Sequence, residues 1–161
     1  MRYARFLIFS CVLVTACTTA LAQAVPGNKS KTEFRNSPDV SAPAGYSHVA
    51  IVNSGKMLFV SGQVGLDNKG QMVGKDDFRA QAAQAFTNLQ FVLAAAGATS
   101  KDVVKLNYYV VGLNHDKLVS LREVRDQFVD KAHPPASTLA GVQELFREDA
   151  LIEIEAVAVV P

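Results

Sequence analysis

The chain has 161 residues, 49% of them hydrophobic and 19% charged, a size and composition that suit one globular domain and not two. Lys and Arg number 16 against 15 Asp and Glu, with no Lys/Arg-rich run. That balance speaks against a nucleic-acid partner.

Arg2 and Arg5 precede an apolar run from Phe6 to Ala16. Ala20-Leu21-Ala22 then offers small residues at both positions a signal peptidase reads. This is the pattern of a secretory signal peptide over 1–22, with cleavage expected after Ala22 and a periplasmic or secreted destination. The run is too short for a spanning helix, which takes roughly 20 residues. Val14-Thr15-Ala16-Cys17 also resembles a lipobox, so a lipid anchor at Cys17 is the alternative route of export. Cys11 and Cys17 both lie in this segment. The remainder therefore offers no disulfide, thiol nucleophile or Cys-based metal site.

Residues 23–31 are polar, with Pro26 and Gly27, and read as a flexible lead-in. The domain proper is expected over 32–161. Thr32–Asn36 suits a short edge strand, and Ser37–Gly45, with Pro38, Pro43 and Gly45, must be loop. His48–Asn53 and Met57–Gln63 are β-rich runs flanking Ser54-Gly55, which predicts a hairpin. Asp76 or Asp77 can cap a helix running to about Ala96, with Phe78, Ala82, Ala85, Leu89, Val92 and Ala96 on one face and Gly97 as its stop. Val103–Gly112 is rich in β-branched and aromatic residues and predicts a central strand. Leu118–Phe128 predicts a second amphipathic helix, Ser137–Val142 a strand, and Leu151–Val159 a strand with period two. The order β-β-β-α-β-α-β-β describes an α+β two-layer domain.

Four stretches carry a more specific signal: Pro43-Ala44-Gly45-Tyr46-Ser47, Leu58-Phe59-Val60-Ser61-Gly62-Gln63-Val64, Pro135-Ala136-Ser137-Thr138, and Ile152-Glu153-Ile154-Glu155-Ala156-Val157-Ala158. In this order and spacing they resemble the reactive-intermediate deaminase (RidA/YjgF) family over roughly residues 32–160. The resemblance implies a chorismate-mutase-like α+β fold, a mixed β-sheet backed by two helices, assembled as a homotrimer with clefts between subunits. It also implies a hydrolase that turns reactive enamines and imines into ketones or keto acids plus ammonia. No cofactor and no metal are expected, and His48, His115 and His133 are scattered without ligand spacing.

Imine hydrolysis needs water to attack carbon and a proton to reach the departing nitrogen, and one carboxylate can relay both protons. Glu153 matches the family glutamate whose counterpart positions the water, so it is the catalytic candidate. On alternation alone, Glu153 and Glu155 are simply solvent-facing strand residues. The counterpart of Tyr46 lines the family cleft; the plainer reading is a ring packed over a rim. Ser61 and Gly62 end a strand where the family backbone approaches the ligand, an approach permitted by the missing Cβ, though a simple bulge would look the same.

Ser137 is the departure. The family's active deaminases carry Arg here, and its paired hydrogen bonds to a substrate carboxylate cannot be reproduced by a hydroxyl. Leu121 likewise stands where the family has Asn. The expected consequence is a substrate preference shifted away from small imino acids, with Ser137 and Thr138 still able to bond a neutral ligand. Arg122 and Arg125 could restore a positive charge. With Glu123 and Asp126 they read more simply as a solvated helix face. The alternative to an enzyme is a trimer of the same fold that binds a small molecule without turning it over.

Overall fold

The computed structural model describes residues 31–161; the predicted signal peptide and all of the lead-in except Lys31 lie outside the described residues. Six strands and two helices follow in order: β1 (Thr32–Arg35), β2 (Val49–Val52), β3 (Lys56–Val64), α1 (Phe78–Ala95), β4 (Val103–Val111), α2 (His115–Phe128), β5 (Ala136–Val142) and β6 (Ile152–Val160). The main sheet has the order β3-β6-β4-β5. β6 is antiparallel to both of its neighbours, while β4 and β5 run parallel. The sheet is therefore mixed, and both helices pack on one of its faces, as the α+β expectation required.

Alternation explains which face is covered. Ile152, Ile154, Ala156 and Ala158 of β6, and Leu106, Tyr108 and Val110 of β4, are buried against the helices. Successive strand residues point to opposite sides, so the intervening residues form an open face. From α1 come Phe78, Ala82, Ala85, Phe86, Leu89 and Leu93; from α2 come Leu121, Val124 and Phe128. Phe86 stacks at 4.9 Å from Phe128 and 6.3 Å from Tyr108, joining both helices to the sheet. The core stripe of α1 departs from prediction at its end. Leu93, not Val92 or Ala96, faces inward, because Phe86, Leu89 and Leu93 continue the three-and-four spacing.

Local chemistry sets the helix ends. The Asp77 carboxylate caps α1 by accepting from Ala80 N at 3.0 Å, and Asn114 caps α2 through Lys117 N at 2.9 Å. After α1 the chain turns at Gly97, with Ala98 N donating to Leu93 O at 2.9 Å. Among the described residues Gln81 is a fully buried polar side chain. Gln81 donates to Asp149 O at 2.8 Å and accepts from Leu151 N at 2.8 Å, tying α1 to the start of β6.

The predicted hairpin between β2 and β3 does not form. The chain does turn at Gly55. However, β2 pairs with β1 in a separate two-stranded ribbon, and β3 pairs with β6. Burial decides the pairing. Val60 and Val64 of β3 are buried, whereas every residue of β2 keeps some exposure. Among the described residues no helix is long and apolar enough to cross a membrane.

Candidate active site

The pleat sorts the predicted residues onto two faces of one sheet. Ser137 lies opposite Leu106 and Leu139 opposite Tyr108, so both face the helices. Thr138 lies opposite Asn107, and Glu153 opposite Tyr109, on the open face. Thr138 Oγ1 accepts from Lys105 Nζ at 2.7 Å there, turned away from Ser137. The two adjacent candidates of the Pro-Ala-Ser-Thr stretch are thus separated by the sheet itself.

On the open face the ladder between β3 and β6 breaks between Val60 and Gln63, leaving Ser61 and Gly62 without register partners. This is a bulge, and Gln63 Nε2 braces it by donating to Ser61 O at 3.0 Å and Gly62 O at 3.2 Å. The Glu153 side chain lies directly over Gly62. A Cβ built there would fall on Glu153 Oε1 and stand 2.6 Å from Cδ and 2.8 Å from Cγ. Gly62 therefore provides the space that the carboxyl group occupies. Burial, and then the neighbouring charge of Glu155, push the Glu153 carboxyl above the ordinary glutamate range. Glu155 is itself anchored, accepting from Asn107 Nδ2 at 3.1 Å. Burial, then the Glu155 hydrogen bond, and then the charges of Glu155 and Glu153, raise the Tyr109 phenol. The result is a carboxyl of raised proton affinity beside a backbone with no side chain, which suits a proton relay.

On the helix face Ser137 and Tyr46 share a cavity of about 300 Å³ between α2, β5 and the loop around residue 44. The loop is fixed to β5 by Ser47, whose N donates to Pro135 O at 3.1 Å and whose Oγ donates to Pro134 O at 2.7 Å. Ala44, Leu118, Leu121 and Leu139 make apolar walls. Arg122 and Arg125 also border this cavity, one helical turn apart; Arg122 is exposed, as a solvated helix face requires, whereas the Arg125 side chain is only 12% exposed and departs from that reading. The Arg125 guanidinium fits because Gly45 has no side chain, a Cβ there standing 2.8 Å from Arg125 Cζ. The φ of +77° at Gly45 is one that glycine adopts freely. Arg125 does meet Asp126 as expected, donating from Nε at 3.0 Å and from Nη2 at 2.6 Å to the same oxygen, Oδ1.

Sequence reasoning missed Tyr108. It lines this cavity from β4, and its buried hydroxyl has no hydrogen-bond partner among the described residues. The signal was present, since of two adjacent tyrosines on an interior strand one must face the helices. Among the described residues no group of three His, Cys, Asp or Glu could hold a metal.

These elements have relatives. The family model described as endoribonuclease L-PSP matches residues 35–160. A 2-iminobutanoate/2-iminopropanoate deaminase of the mite Dermatophagoides farinae is 34% identical over 109 residues, 68% of this chain and 82% of that protein. One of the same name from Salmonella typhimurium is 35% identical over 120 residues, 74% of this chain and 92% of its own. The crystal structure of YyfB, a Rid-family protein of unknown function from Yersinia pestis, superposes with a TM-score of 0.76 at 37% identity, covering 81% of this chain and all of YyfB. The chain belongs to the RidA/YjgF family, some members of which are named as imine deaminases.

Proposed function

We propose that the protein hydrolyses reactive imines and enamines to carbonyl compounds and ammonia, in a cleft completed when a second copy of the chain joins it in a homotrimer. The observation that carries this reading is the Glu153 carboxyl held over the bare backbone of Gly62, with its proton affinity raised by burial. Glu153 takes a proton from water as the oxygen bonds to the imine carbon, and the C=N pair passes to nitrogen. The carboxyl then delivers that proton to nitrogen, giving the carbinolamine; the carboxylate next takes the hydroxyl proton and passes it to the amino group, so that the C–N bond breaks and ammonia leaves as the carbonyl forms. An enamine first takes a proton on carbon and enters as the imine. Carbon keeps its oxidation level, so no electron acceptor takes part.

The division of the site supports the trimer. Glu153, Ser61 and Gly62 belong to the open face or its edge, and Tyr46 and Ser137 to the other face. One copy presents the two halves in different directions. The open-face edge also carries exposed apolar surface at Phe59 (78% exposed) and Met57 (47%), a surface that association would remove from water. Ser137 shifts substrate preference, because a hydroxyl cannot make the paired bonds of a guanidinium. The leader-like first 22 residues support export.

The test is ammonia release from a panel of freshly generated imines by the wild type and Glu153→Gln, with light scattering on the same samples. Turnover that Glu153→Gln abolishes, in a trimer, supports the reading. Equal rates would remove Glu153 from the chemistry, and a stable monomer at micromolar concentration would remove the shared cleft. A second reading, a trimer that binds without turnover, draws on the ligand-sized cavity beside Ser137. Thermal stabilisation by a small ligand together with no turnover of any imine would select it.

A further inference from the structure

We propose that Glu155 is a positioning residue for the hydrolysis: held on the open face by two donors of β4, it sets a fixed negative charge beside Glu153 and so assigns the reaction's proton to Glu153. The assignment deepens the proposed function, and rests on it for the reaction but not for the pairing of the two carboxyl groups. Register is the first argument. Glu153 and Glu155 stand two residues apart on β6, both half-buried and both on the open face, about 6.6 Å from one another along the strand. Asn107 lies directly opposite Glu155, and its Nδ2 donates to Glu155 Oε2 at 3.1 Å. Tyr109 lies opposite Glu153, yet its phenol hydrogen-bonds diagonally to Glu155, a reach open to an aromatic side chain across an antiparallel pair. Glu155 thus takes both donors, and among the described residues no donor reaches the Glu153 carboxyl.

The charges facing Glu153 supply the second argument. Its own strand brings Glu155. β4 brings the neutral phenol of Tyr109 and, two rungs further on, Lys105, whose Nζ is turned toward β5 and donates to Thr138 Oγ1 at 2.7 Å. β3 brings Ser61 and the bare Gly62, and the Gln63 amide is occupied by their carbonyls. Among the described residues no cation therefore stands against the pair. Two acids without a cation weaken a sheet. Their use is chemical, since unequal surroundings divide two carboxyl groups into a fixed charge and a proton carrier. The proton affinity of Glu153 agrees with this division: burial raises it first, and the charge of Glu155 raises it further. A stronger base takes the proton of the attacking water more readily.

The experiment follows the Glu153 carboxyl carbon by NMR through a pH titration of the purified, glutamate-labelled protein, the signal being identified by its loss in Glu153→Gln. Beside it runs the pH profile of kcat/KM for ammonia release from one generated imine. Glu155→Gln keeps the shape and an acceptor oxygen for Asn107 but removes the charge. It should carry the Glu153 titration toward lower pH, part of the way to the ordinary glutamate range, because burial remains. The acid limb of the rate profile should move with it, and the plateau should fall severalfold as the base weakens. Glu155→Asp keeps the charge and should restore much of the wild-type midpoint. Tyr109→Phe leaves both carboxyl groups but frees Glu155 to swing toward water, where its charge is screened; the midpoint should move the same way by less. A purely structural Glu155 would lower the melting temperature in Glu155→Gln and leave the Glu153 midpoint within about 0.2 pH unit of the wild type, and that result would overturn the assignment. Should Glu155→Gln not fold, a Glu153 midpoint that Tyr109→Phe leaves unmoved would overturn it in the same way. A midpoint that moves as expected, in a protein that releases no ammonia from any imine, would overturn only the hydrolysis. Turnover that Glu153→Gln abolishes, with an acid limb that Glu155→Gln leaves in place, would overturn only the role of Glu155.

Discussion

Replacing Gly62 by Ala separates what the site does from what the fold needs. The new Cβ would stand 2.6 Å from Glu153 Cδ, about 0.9 Å short of the roughly 3.5 Å at which carbon atoms rest. The obstructing atoms are the end of a flexible side chain and not backbone. Glu153 Oε1 would stand nearer still, so the carboxyl group swings away by at least about 1 Å and the strand stays in place. A misplacement of that size costs about 100-fold in rate, or about 2.7 kcal/mol of transition-state stabilisation. Folding stability should change by about 1 kcal/mol or less, because the Gly62 backbone is not in the left-handed region. The assay is kcat for ammonia release from a generated imine, with a thermal melt of the same preparation. A rate within threefold of the wild type at full occupancy would refute the argument, since it would mean that the chemistry does not depend on where the Glu153 carboxyl lies. A collapse in melting temperature would refute the claim that the space is kept for that carboxyl and not for packing.

Glu153→Gln should also change how stability depends on pH. The folded-state pKa of Glu153 lies above the ordinary glutamate value of 4.5, so the folded protein holds more protons than the unfolded chain between those two values. Stability is then lost as pH rises through that window. The variant should melt higher than the wild type above the window and gain less below it, and parallel melting curves across pH would contradict the raised pKa. Gln81→Leu leaves the Leu151 N–H and the Asp149 carbonyl without their partner, so a loss of roughly 2–4 kcal/mol is expected in denaturant titration. Asp77→Ala removes the α1 cap and should cost about 1 kcal/mol in the same assay.

The elements that were legible are those whose periodicity is forced by burial on one face. β4 and β6 alternate almost perfectly because each lies inside the sheet, with helices on one side and open surface on the other. The hairpin expectation failed because a turn signal such as Ser54-Gly55 records a change of direction and not a partner. β3 was drawn to β6, roughly ninety residues away, by the apolar surface the two bury together. At the site, the alternation of Glu153 and Glu155 was plain, but the space over Gly62 depends on a bulge, which no spacing announces. Ser137 and Thr138 looked like one subsite because they are adjacent, although adjacency in a strand guarantees opposite faces. Arg122 and Arg125 were read with Glu123 and Asp126 because helical neighbours are easy to see in a sequence. The cavity they also border is made by the loop at Ala44 and by β5, which only the tertiary structure brings alongside.

The position of β6 bears on how the chain comes to fold. The last strand in the sequence occupies the interior of the sheet, with β3 on one side and β4 on the other. While a nascent chain is being made, β3 and β4 exist without the strand that joins them, and α1 has half a surface to pack on. Pairings between distant segments form late and slowly, and here the decisive ones wait for Ile152–Val160 to leave the ribosome. The growing polypeptide is thus kept from completing its main sheet until Ile152–Val160 has been made. Until then the apolar faces of β3, β4 and α1 lack their central partner and stay open to chaperones. Shortening the carboxyl end by this one strand would remove the centre of the sheet rather than trim its margin.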